Sequence, residues 1–459
     1  MAKSKESNRL YLGVDIGGTK LQASLVTEAG AMICRERTAT PRTGGPERVV
    51  AALEKLIEDT LAKAKTERER LTAIGLAVPG VVDPSQGRVV VTPNMSLTGV
   101  AISILLEARF KVPVAMGNDG NLGALGERWL GSARNAKSAV AILVGTGIGG
   151  GLVRKGKLWR GARESAGEIG HIVMQIDGPL CGCGNRGCFE ALASRTAIER
   201  DIRQAIAEGR QSVLTTLCDG DLSVIRSGAI RKALEAEDSL VTEVMHRASE
   251  IIAYGCLTVR HLVDPEVIVL GGGLVMACSD FMLPIIENIV GSDNLPGARE
   301  GGRVLLSALG DDAVVLGAVA LARTLVGRDP FKSRFTVQTE YPQIAHAGYG
   351  EITVGRKSYS RDIYISVYGE VKKRKKSLTR ELHGSAHEVR PEELAKVCEG
   401  GPEVLFIGAG NEGKIELSKE AQRFLAQRSI RLEVLPTQQA AEAYNRSAQR
   451  KALLMHVSC

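Results

Sequence analysis

The chain has 459 residues, of which 44% are hydrophobic and 24% charged, and this length and composition predict a globular protein of two or three domains. Only 4% of the residues are aromatic, which argues against a stacking surface for nucleic acid. The sequence contains no run of 18 apolar residues, so no membrane span is predicted. Most of the net charge of +7 lies after Tyr341, where 19 Lys and Arg residues face 14 Asp and Glu residues.

The first predicted block, residues 1–120, combines short apolar strands with an amphipathic helix. Its first nine residues are polar and lack the apolar core of a secretory signal. The apolar spacing over 47–65 predicts a helix, and another is expected to follow Asp119 as far as Trp129. Strands are predicted at 11–15, 21–26, 73–78, 89–91 and 112–116.

The second block, residues 121–310, repeats this organisation. Strands are predicted at 139–144 and 267–270, with helices between about 195 and 261, and a helix at about 311–326 is expected to return to the first block. Glycine turns follow strands in both blocks. Two such blocks predict two α/β lobes around a cleft.

The tail is predicted to be a separate unit. Residues 327–343 lack periodicity and contain prolines, which is typical of a linker, and 344–459 is predicted to be a small α/β domain. Strands are expected at 351–354, 362–366, 404–407 and 431–435, with helices near 391–398, 419–427 and 438–447. The basic run Lys372–Lys376 has the charge to contact a phosphate backbone, but a solvated loop between strands is the commoner explanation.

Three glycine-rich turns follow predicted strands, beginning at Asp15, Gly145 and Gly271. Glycines let the backbone approach an anion and direct its amides towards it. In the first turn, Thr19 and Lys20 add a hydroxyl and a cation, and Asp15 has the oxygen ligands for magnesium. The alternatives are a plain hairpin for the first two turns and a helix start for the third, so phosphate binding rests on their joint occurrence.

Asn118 and Asp119 follow another buried strand. A carboxylate at a strand end beside a cleft is placed to accept a proton from a sugar hydroxyl. The alternative is an Asx turn or a helix cap.

Three of the nine cysteines lie within eight residues, at Cys181, Cys183 and Cys188, and His171 precedes them. Three thiolates and one imidazole complete the tetrahedral coordination of zinc, which predicts a structural metal site. An odd number of cysteines with one tight cluster is typical of a reduced protein, so we expect a cytoplasmic location. A chance cysteine cluster is the alternative. Glu168 and Glu190 flank the site, and a loop fixed by the metal would hold both carboxylates in place to bind a sugar. The alternative for each is a solvated surface charge.

In this order, the motifs resemble those of the ROK family of sugar kinases and repressors, and most of all its bacterial glucokinases and then its N-acetylmannosamine kinases. The resemblance covers residues 12 to about 325, and its motifs are Asp15–Lys20, Pro79-Gly80, Asn118–Asn121, Gly145–Gly151, Glu168–His171 and Cys181–Glu190. It implies a two-lobed, actin-like (ribonuclease H-like) ATPase fold and transfer of phosphate from Mg-ATP to the 6-hydroxyl of a hexose. Glucose is expected first, with N-acetylmannosamine or N-acetylglucosamine as alternatives, because Met95 follows Asn94 where several relatives carry Trp. Family members are commonly dimers or tetramers.

The resemblance also implies roles for individual residues. Asp119 would be the catalytic base, and the zinc ligands would be His171, Cys181, Cys183 and Cys188. Sugar contacts would come from Gly80, Asn94, Asn118, Asp119, Glu168, His171 and Glu190. Nucleotide contacts would come from Gly13, Val14, Asp15, Ile16, Gly17, Gly18, Thr19, Lys20, Thr146, Gly147, Ile148, Gly149, Gly150, Gly151, Gly272 and Gly273.

The tail resembles a small domain shared by the adipogenesis-associated protein and a mitochondrial complex I assembly factor, a family without an established enzymatic activity. The matching residues include Gly348–Ile352, Tyr359–Ile365, His387, Val404–Gly410 and His456–Cys459. Gly408 and Gly410 do not complete a dinucleotide-binding motif, so a structural turn is expected there.

Two other classes compete with a kinase. A repressor of this family would carry a helix-turn-helix before the first lobe, and about ten residues precede the first predicted strand, too few for that domain. A non-catalytic sugar-binding regulator is the second alternative, and the presence of Asp119 and both phosphate turns argues against it.

Overall fold

The computed structural model describes residues 9–92, 95–298, 301–331, 341–374, 388–410 and 415–457. The elements of the first lobe are β1 (Leu10–Ile16), β2 (Lys20–Thr27), β3 (Met32–Ala39), α1 (Gly45–Lys63), β4 (Leu71–Val78), β5 (Val81–Asp83), β6 (Arg88–Val91), α2 (Ile102–Phe110) and β7 (Val114–Asn118). Its sheet has the order β3-β2-β1-β4-β7, antiparallel from β1 to β3 and parallel through β1, β4 and β7. Alternate side chains of β1 point to opposite faces, so Leu12 and Val14 pack beneath α1 with Leu53 and Ile57.

The elements of the second lobe are α3 (Asp119–Trp129), β8 (Ser138–Val144), β9 (Ile148–Arg154), β10 (Lys157–Leu158), α4 (Phe189–Ala193), α5 (Arg195–Ala207), α6 (Leu214–Leu217), α7 (Ser227–Glu235), α8 (Ser239–Val263), β11 (Val267–Gly271), α9 (Gly273–Gly291) and β12 (Arg303–Leu306). Its sheet has the order β10-β9-β8-β11-β12, with an antiparallel first half and a parallel second half. The first lobe has the same arrangement, with three antiparallel strands followed by two more that run parallel to the third. The predicted pair of α/β lobes is confirmed.

Helix α10 (Ala313–Leu325) returns the chain to the first lobe. Its residues Leu316 and Val319 share an apolar cluster with Tyr11 of β1 and Ala73 of β4, on the sheet face opposite α1. On the second lobe, α3 covers one sheet face through Ala124, which packs with Ala139 and Ala141. Helices α3 and α10 are also in extensive contact with each other. The two lobes therefore meet through this helix pair.

One described helix, α9, has the length and mean hydropathy of a membrane span, although the sequence predicted no span. Its apolar residues Leu274, Met282 and Ile286 belong to the main core of the second lobe, together with Ile252 of α8. The helix therefore packs as a core helix of this lobe.

The elements of the tail are β13 (Ile344–Gly348), β14 (Glu351–Val354), β15 (Lys357–Tyr359), β16 (Ile363–Ile365), β17 (Val371–Lys373), β18 (Glu388–Val389), α11 (Pro391–Val397), β19 (Val404–Gly408), β20 (Glu416–Leu417), α12 (Lys419–Gln427), β21 (Arg431–Leu435), α13 (Thr437–Arg446) and β22 (Lys451–Met455). The main tail sheet has the order β17-β16-β22-β19-β21. The α/β character of the tail is as expected, but the central strand β22 was not predicted. It consists of Lys, Ala, Leu and Met, which all have high helix propensity, so this short apolar run gave no signal for a strand.

The basic run was expected to be a solvated loop, and this expectation was wrong for its described part. Lys372 and Lys373 belong to strand β17, and the side chain of Arg374 is 1% exposed. Lys375 and Lys376 lie outside the described residues, as do His387 and Cys459. The run is therefore in part an edge strand with one buried arginine.

The tail domain contacts the two-lobed part of the chain next to the connections between the lobes. Arg134, in the segment between α3 and β8, donates from Nη2 to the carbonyl oxygen of Ser429 at 2.6 Å. Gly401 approaches the backbone of Leu130, at the end of α3, and the side chain of Leu309, just before α10. The tail therefore touches both segments that connect the lobes.

Candidate active site

The parallel strands of the first lobe end at one sheet edge, which collects several predicted site residues. Asp15 of β1 pairs in register with Ala77 of β4, and Ala77 pairs with Gly117 of β7. Gly80 therefore follows the end of β4, next to Asn118 and Asp119 at the end of β7. Ligand sites of open α/β sheets lie at this carboxyl edge.

Asn118 fixes the geometry of this edge with both ends of its amide. Its Nδ2 donates to the carbonyl oxygen of Gly80 at 3.0 Å, and its Oδ1 accepts from the backbone N–H of Asn121 at 3.1 Å. The second bond caps helix α3, as the sequence alternative foresaw. The cap places Asp119 as the first helical residue, with its Oδ1 bonded to the N–H of Gly120 at 2.8 Å. Asn118 is therefore a positioning residue for Asp119.

Asp119 is half-buried, and the carboxylates of Asp15 and Glu168 are near enough to affect its charge. Burial raises the pKa of Asp119 to about 7, and the charges of Asp15 and then Glu168 contribute to this rise. Burial likewise raises the pKa of Asp15 to about 6, against the opposing effect of Lys20. A base is most effective when its pKa lies near the working pH, so Asp119 has a suitable pKa to accept a proton from an alcohol.

The β1–β2 turn exposes only part of the first predicted nucleotide motif. Gly18, Thr19 and Lys20 are exposed, and the turn is held by a hydrogen bond from the Thr40 hydroxyl to the carbonyl oxygen of Gly17 at 2.6 Å. The side chains of Val14 and Ile16 are in the core beneath α1. A Cβ on Gly13 would lie 2.5 Å from the carbonyl oxygen of Val315, so Gly13 lets α10 pack on the sheet.

The second glycine motif divides between a turn and a strand. Residues 145–147 form the turn between β8 and β9, while Ile148, Gly149, Gly150 and Gly151 lie within β9. A Cβ on Gly150 would lie 2.5 Å from the Ile169 side chain, and one on Gly120 would lie 2.6 Å from the Gly150 carbonyl oxygen. Close packing against Ile169 and the start of α3 therefore accounts for Gly150, and Thr146 in the turn is the exposed residue of this motif.

Arg195, which no sequence motif indicated, supports this turn. Its Nη2 donates to the Thr146 hydroxyl at 2.9 Å, its backbone N–H donates to the Gly145 carbonyl oxygen at 3.0 Å, and its Nε donates to Glu199 at 2.8 Å. The signal that could have found it is its place at the start of α5, directly after the N-cap Ser194.

The third glycine motif adopts the alternative structure, a helix start, because α9 begins at Gly273. Gly272 has φ of 86°, which favours glycine, and a Cβ there would lie 2.4 Å from the carbonyl oxygen of Val144. The N-terminus of α9 is therefore adjacent to the β8–β9 turn. Amides at a helix start favour an anion.

The four predicted metal ligands converge. The ligand atoms of His171, Cys181, Cys183 and Cys188 all lie within 4.8 Å of one another. The Sγ of Cys181 is 3.6 Å from Nδ1 of His171, and Sγ of Cys183 is 3.7 Å from that of Cys188. Zinc–sulfur bonds of about 2.3 Å at tetrahedral angles separate two sulfurs by ~3.8 Å, so the cluster fits a four-coordinate zinc.

The predicted sugar contacts Glu168, His171 and Glu190 are in or next to this cluster in the sequence, and two contacts place their side chains. Nε2 of His171, the nitrogen away from Cys181, is 4.0 Å from Oε2 of Glu168. Glu190, two residues after Cys188, accepts from the backbone N–H of Ile148 at 2.7 Å. The cysteine loop is therefore linked through Glu190 to the β8–β9 turn. Asn94, the remaining predicted sugar contact, lies outside the described residues.

Both parts of the chain are similar to known protein families. The ROK family model matches residues 11–325, and a model for a protein of unknown function (DUF498/DUF598) matches residues 344–455. A glucokinase of Halalkalibacterium halodurans is 31% identical over 312 residues, which are 68% of this chain and 94% of that protein.

Two solved structures represent different activities in the same family. A ROK glucokinase from Streptomyces griseus in complex with glucose and AMPPNP has a TM-score of 0.62 and 30% identity, and the match covers 69% of this chain and 99% of that one. A ROK transcriptional regulator, a homologue of the Escherichia coli MLC protein, has a TM-score of 0.63 and 26% identity, with coverage of 71% and 81%. The expected two-lobed ATPase fold is confirmed, and the comparisons include both kinases and regulators.

Proposed function

Because the chain belongs to the ROK family, we propose that it is an ATP-dependent hexose kinase that phosphorylates the 6-hydroxyl of glucose. The observation that carries this proposal is Asp119, a half-buried carboxylate fixed at the start of α3 whose pKa is raised to about 7. A regulator that only binds a sugar does not need a carboxylate with a pKa near 7 that can accept a proton. The relatives named glucokinase support glucose as the sugar.

The proposed reaction follows from the positions of these side chains. Asp119 accepts the proton of the 6-hydroxyl while the oxygen of that hydroxyl bonds to the γ-phosphorus of ATP. The bond from this phosphorus to the bridging oxygen breaks, which releases ADP. Asn118 orients Asp119 through the helix cap. Glu168, His171 and Glu190 are assigned to the other sugar hydroxyls. Closing of the lobes would exclude water, which competes with the sugar for the phosphoryl group.

The nucleotide is assigned to the two hairpin turns and the start of α9. In this proposal Gly17–Lys20 and Thr146–Gly147 bind the phosphates, Asp15 holds Mg²⁺ or its water ligands, and Gly272–Gly273 lies against the adenosine. Supporting observations are the exposure of Gly18, Thr19 and Lys20 and the closeness of Gly272 to the β8–β9 turn.

Zinc is the metal that we assign to His171, Cys181, Cys183 and Cys188. With four protein ligands it has no position for water, so its role is structural. It would hold the loop that carries Glu168 and Glu190, and Nδ1 of His171 would be its nitrogen ligand.

A coupled assay of ADP formation with a panel of hexoses tests the function. We expect turnover with glucose, and a second coupling enzyme specific for glucose 6-phosphate should give the same rate. Turnover restricted to N-acetylmannosamine or N-acetylglucosamine would change the sugar assignment. Sugar binding without ADP formation for glucose, mannose, fructose or either amino sugar would establish the alternative, a sugar-binding regulator like the family's repressors.

Three further assignments belong to this proposal. A cytoplasmic location and a dimer or tetramer are expected by analogy with the family. The tail matches a domain of unknown function, and we assign it to the small-domain family of the adipogenesis-associated and complex I assembly proteins on the residues that it shares with them.

A further inference from the structure

The tail domain contains a cavity of about 670 Å³, between the β16–β17 hairpin and helix α11. Its volume is in the range of small-molecule sites. The lining residues are Arg361, Tyr364, Lys372, Lys373, Arg374, Glu393, Lys396 and Val397. Five of these eight side chains are cationic, and one is acidic. The cavity is therefore strongly enriched in positive charge.

A rigid ion-pair network forms one wall of the cavity. Arg374 donates from Nε and Nη2 to the two carboxylate oxygens of Glu393, at 2.6 and 2.9 Å, and from Nη1 to Asp362 at 3.3 Å. This bidentate pair joins the end of β17 to α11, and the Arg374 side chain is 1% exposed. The wall is thus fixed before any ligand binds.

The remaining cations lack comparable partners. Lys372 pairs with Glu370 at 2.7 Å, outside the cavity. For Arg361, Lys373 and Lys396, no ion pair is found within the part of the chain that the structure describes. Three like charges around one cavity repel one another, which costs stability unless an anion neutralises them. Tyr364 and Val397 add an apolar side to the same space.

We propose that this cavity binds a small phosphorylated molecule, with Arg361, Lys373 and Lys396 as the anion-binding side chains. A molecule with at least two negative charges matches three cations that form no ion pair with the described residues, and the apolar side accommodates a carbon skeleton or base. The site lies in the tail domain, separate from the proposed nucleotide turns, so it does not depend on the proposed kinase activity.

Titration calorimetry on the full chain tests this site, with glucose 6-phosphate, ADP and pyrophosphate as separate probes. The test variant is Lys373→Glu/Lys396→Glu, in which both lysines are exposed, so the core of the domain is unaffected. The control is Lys419→Glu, an exposed lysine of the same domain at the start of α12. We expect a binding component that the double variant weakens at least tenfold and the control changes less than twofold. Circular dichroism melting must show that both variants are folded.

The probes distinguish the sources of the phosphate. A preference for glucose 6-phosphate, ADP or pyrophosphate would indicate a sugar phosphate, a nucleotide or an inorganic ligand. The double variant and the control should both still bind ADP and glucose 6-phosphate at the proposed kinase site. Hexose kinase activity, measured in the same samples, tests the proposed function separately. If no probe gives a component that depends on Lys373 and Lys396, the proposal is wrong. It is also wrong if a 20-nucleotide oligomer binds through these lysines more tightly than every small probe.

Discussion

Glu127, in the last turn of α3, accepts a hydrogen bond of 2.5 Å from the hydroxyl of Ser307, which follows β12. The same carboxylate accepts hydrogen bonds from the backbone N–H groups of Ser132, Ala308 and Leu309. Ser132 lies in the segment that leads from α3 into the second-lobe sheet, and Ala308 and Leu309 lie in the segment that returns to α10. One buried carboxylate therefore joins both connections between the lobes.

Replacing Glu127 by Ala should destabilise the protein by about 3 kcal/mol, because several buried donors lose their acceptor at once. Glu127→Gln should cost less, since its amide oxygen still accepts from part of this set. Chemical denaturation measures the free energy of unfolding of each variant. Glu235→Ala, at an exposed position of α7, is the control and should change this free energy by less than about 0.5 kcal/mol. Equal stability of Glu127→Ala and the control would disprove the proposed role of Glu127.

Asp119→Asn should lower kcat by about 10²- to 10⁴-fold, because the amide cannot accept the proton of the sugar hydroxyl. The substitution keeps the size of the side chain and the oxygen that bonds to Gly120, so the sugar Kd should change little. Stopped-time ADP assays give kcat, and calorimetry gives the Kd for glucose. Asp59→Asn, on the exposed side of α1, is the control. Turnover close to that of the unsubstituted protein would remove Asp119 as the base.

Local patterns predicted most of this architecture, and contacts between distant residues account for what was missed. The convergence of His171 and the three cysteines could be foreseen because all four residues lie within 18 positions, and the helix at 313–325 because its apolar spacing is regular. The role of Glu127 depends on Ser307, 180 residues away, so no local spacing could reveal it. Strand β3 was missed because its exposed edge position gives a mixed burial pattern, and β22 because its residues favour a helix over a strand.

Cys188→Ser should release the metal and lower the melting temperature by several degrees, because a serine hydroxyl is a poor zinc ligand and the loop loses its anchor. Inductively coupled plasma mass spectrometry should find about one zinc per chain in the unsubstituted protein and a small fraction of that in the variant. Cys218→Ser is the matched control, since Cys218 is half-buried and lies outside the cluster. Full zinc content in Cys188→Ser would contradict the ligand assignment.

The pH dependence of kcat/KM should reveal the coupling between Asp119 and Asp15. Because the pKa of Asp119 is raised to about 7, we expect kcat/KM to fall as the pH decreases through that value and the base becomes protonated. The negative charge of Asp15 contributes to this rise, since it disfavours the ionised form of Asp119. Asp15→Asn should therefore move the acidic limb to lower pH, whatever its effect on the maximal rate.

Rate profiles between pH 5 and 9 under conditions of low sugar concentration measure this limb for the free enzyme. Asp59→Asn should leave the limb where it is, because its side chain lies on the outer helix α1 and pairs with Lys55. An acidic limb in Asp15→Asn at the same pH as in the unsubstituted protein would mean that the two carboxylates are not coupled. A limb that persists in Asp119→Asn would mean that another group controls the acid side of the profile.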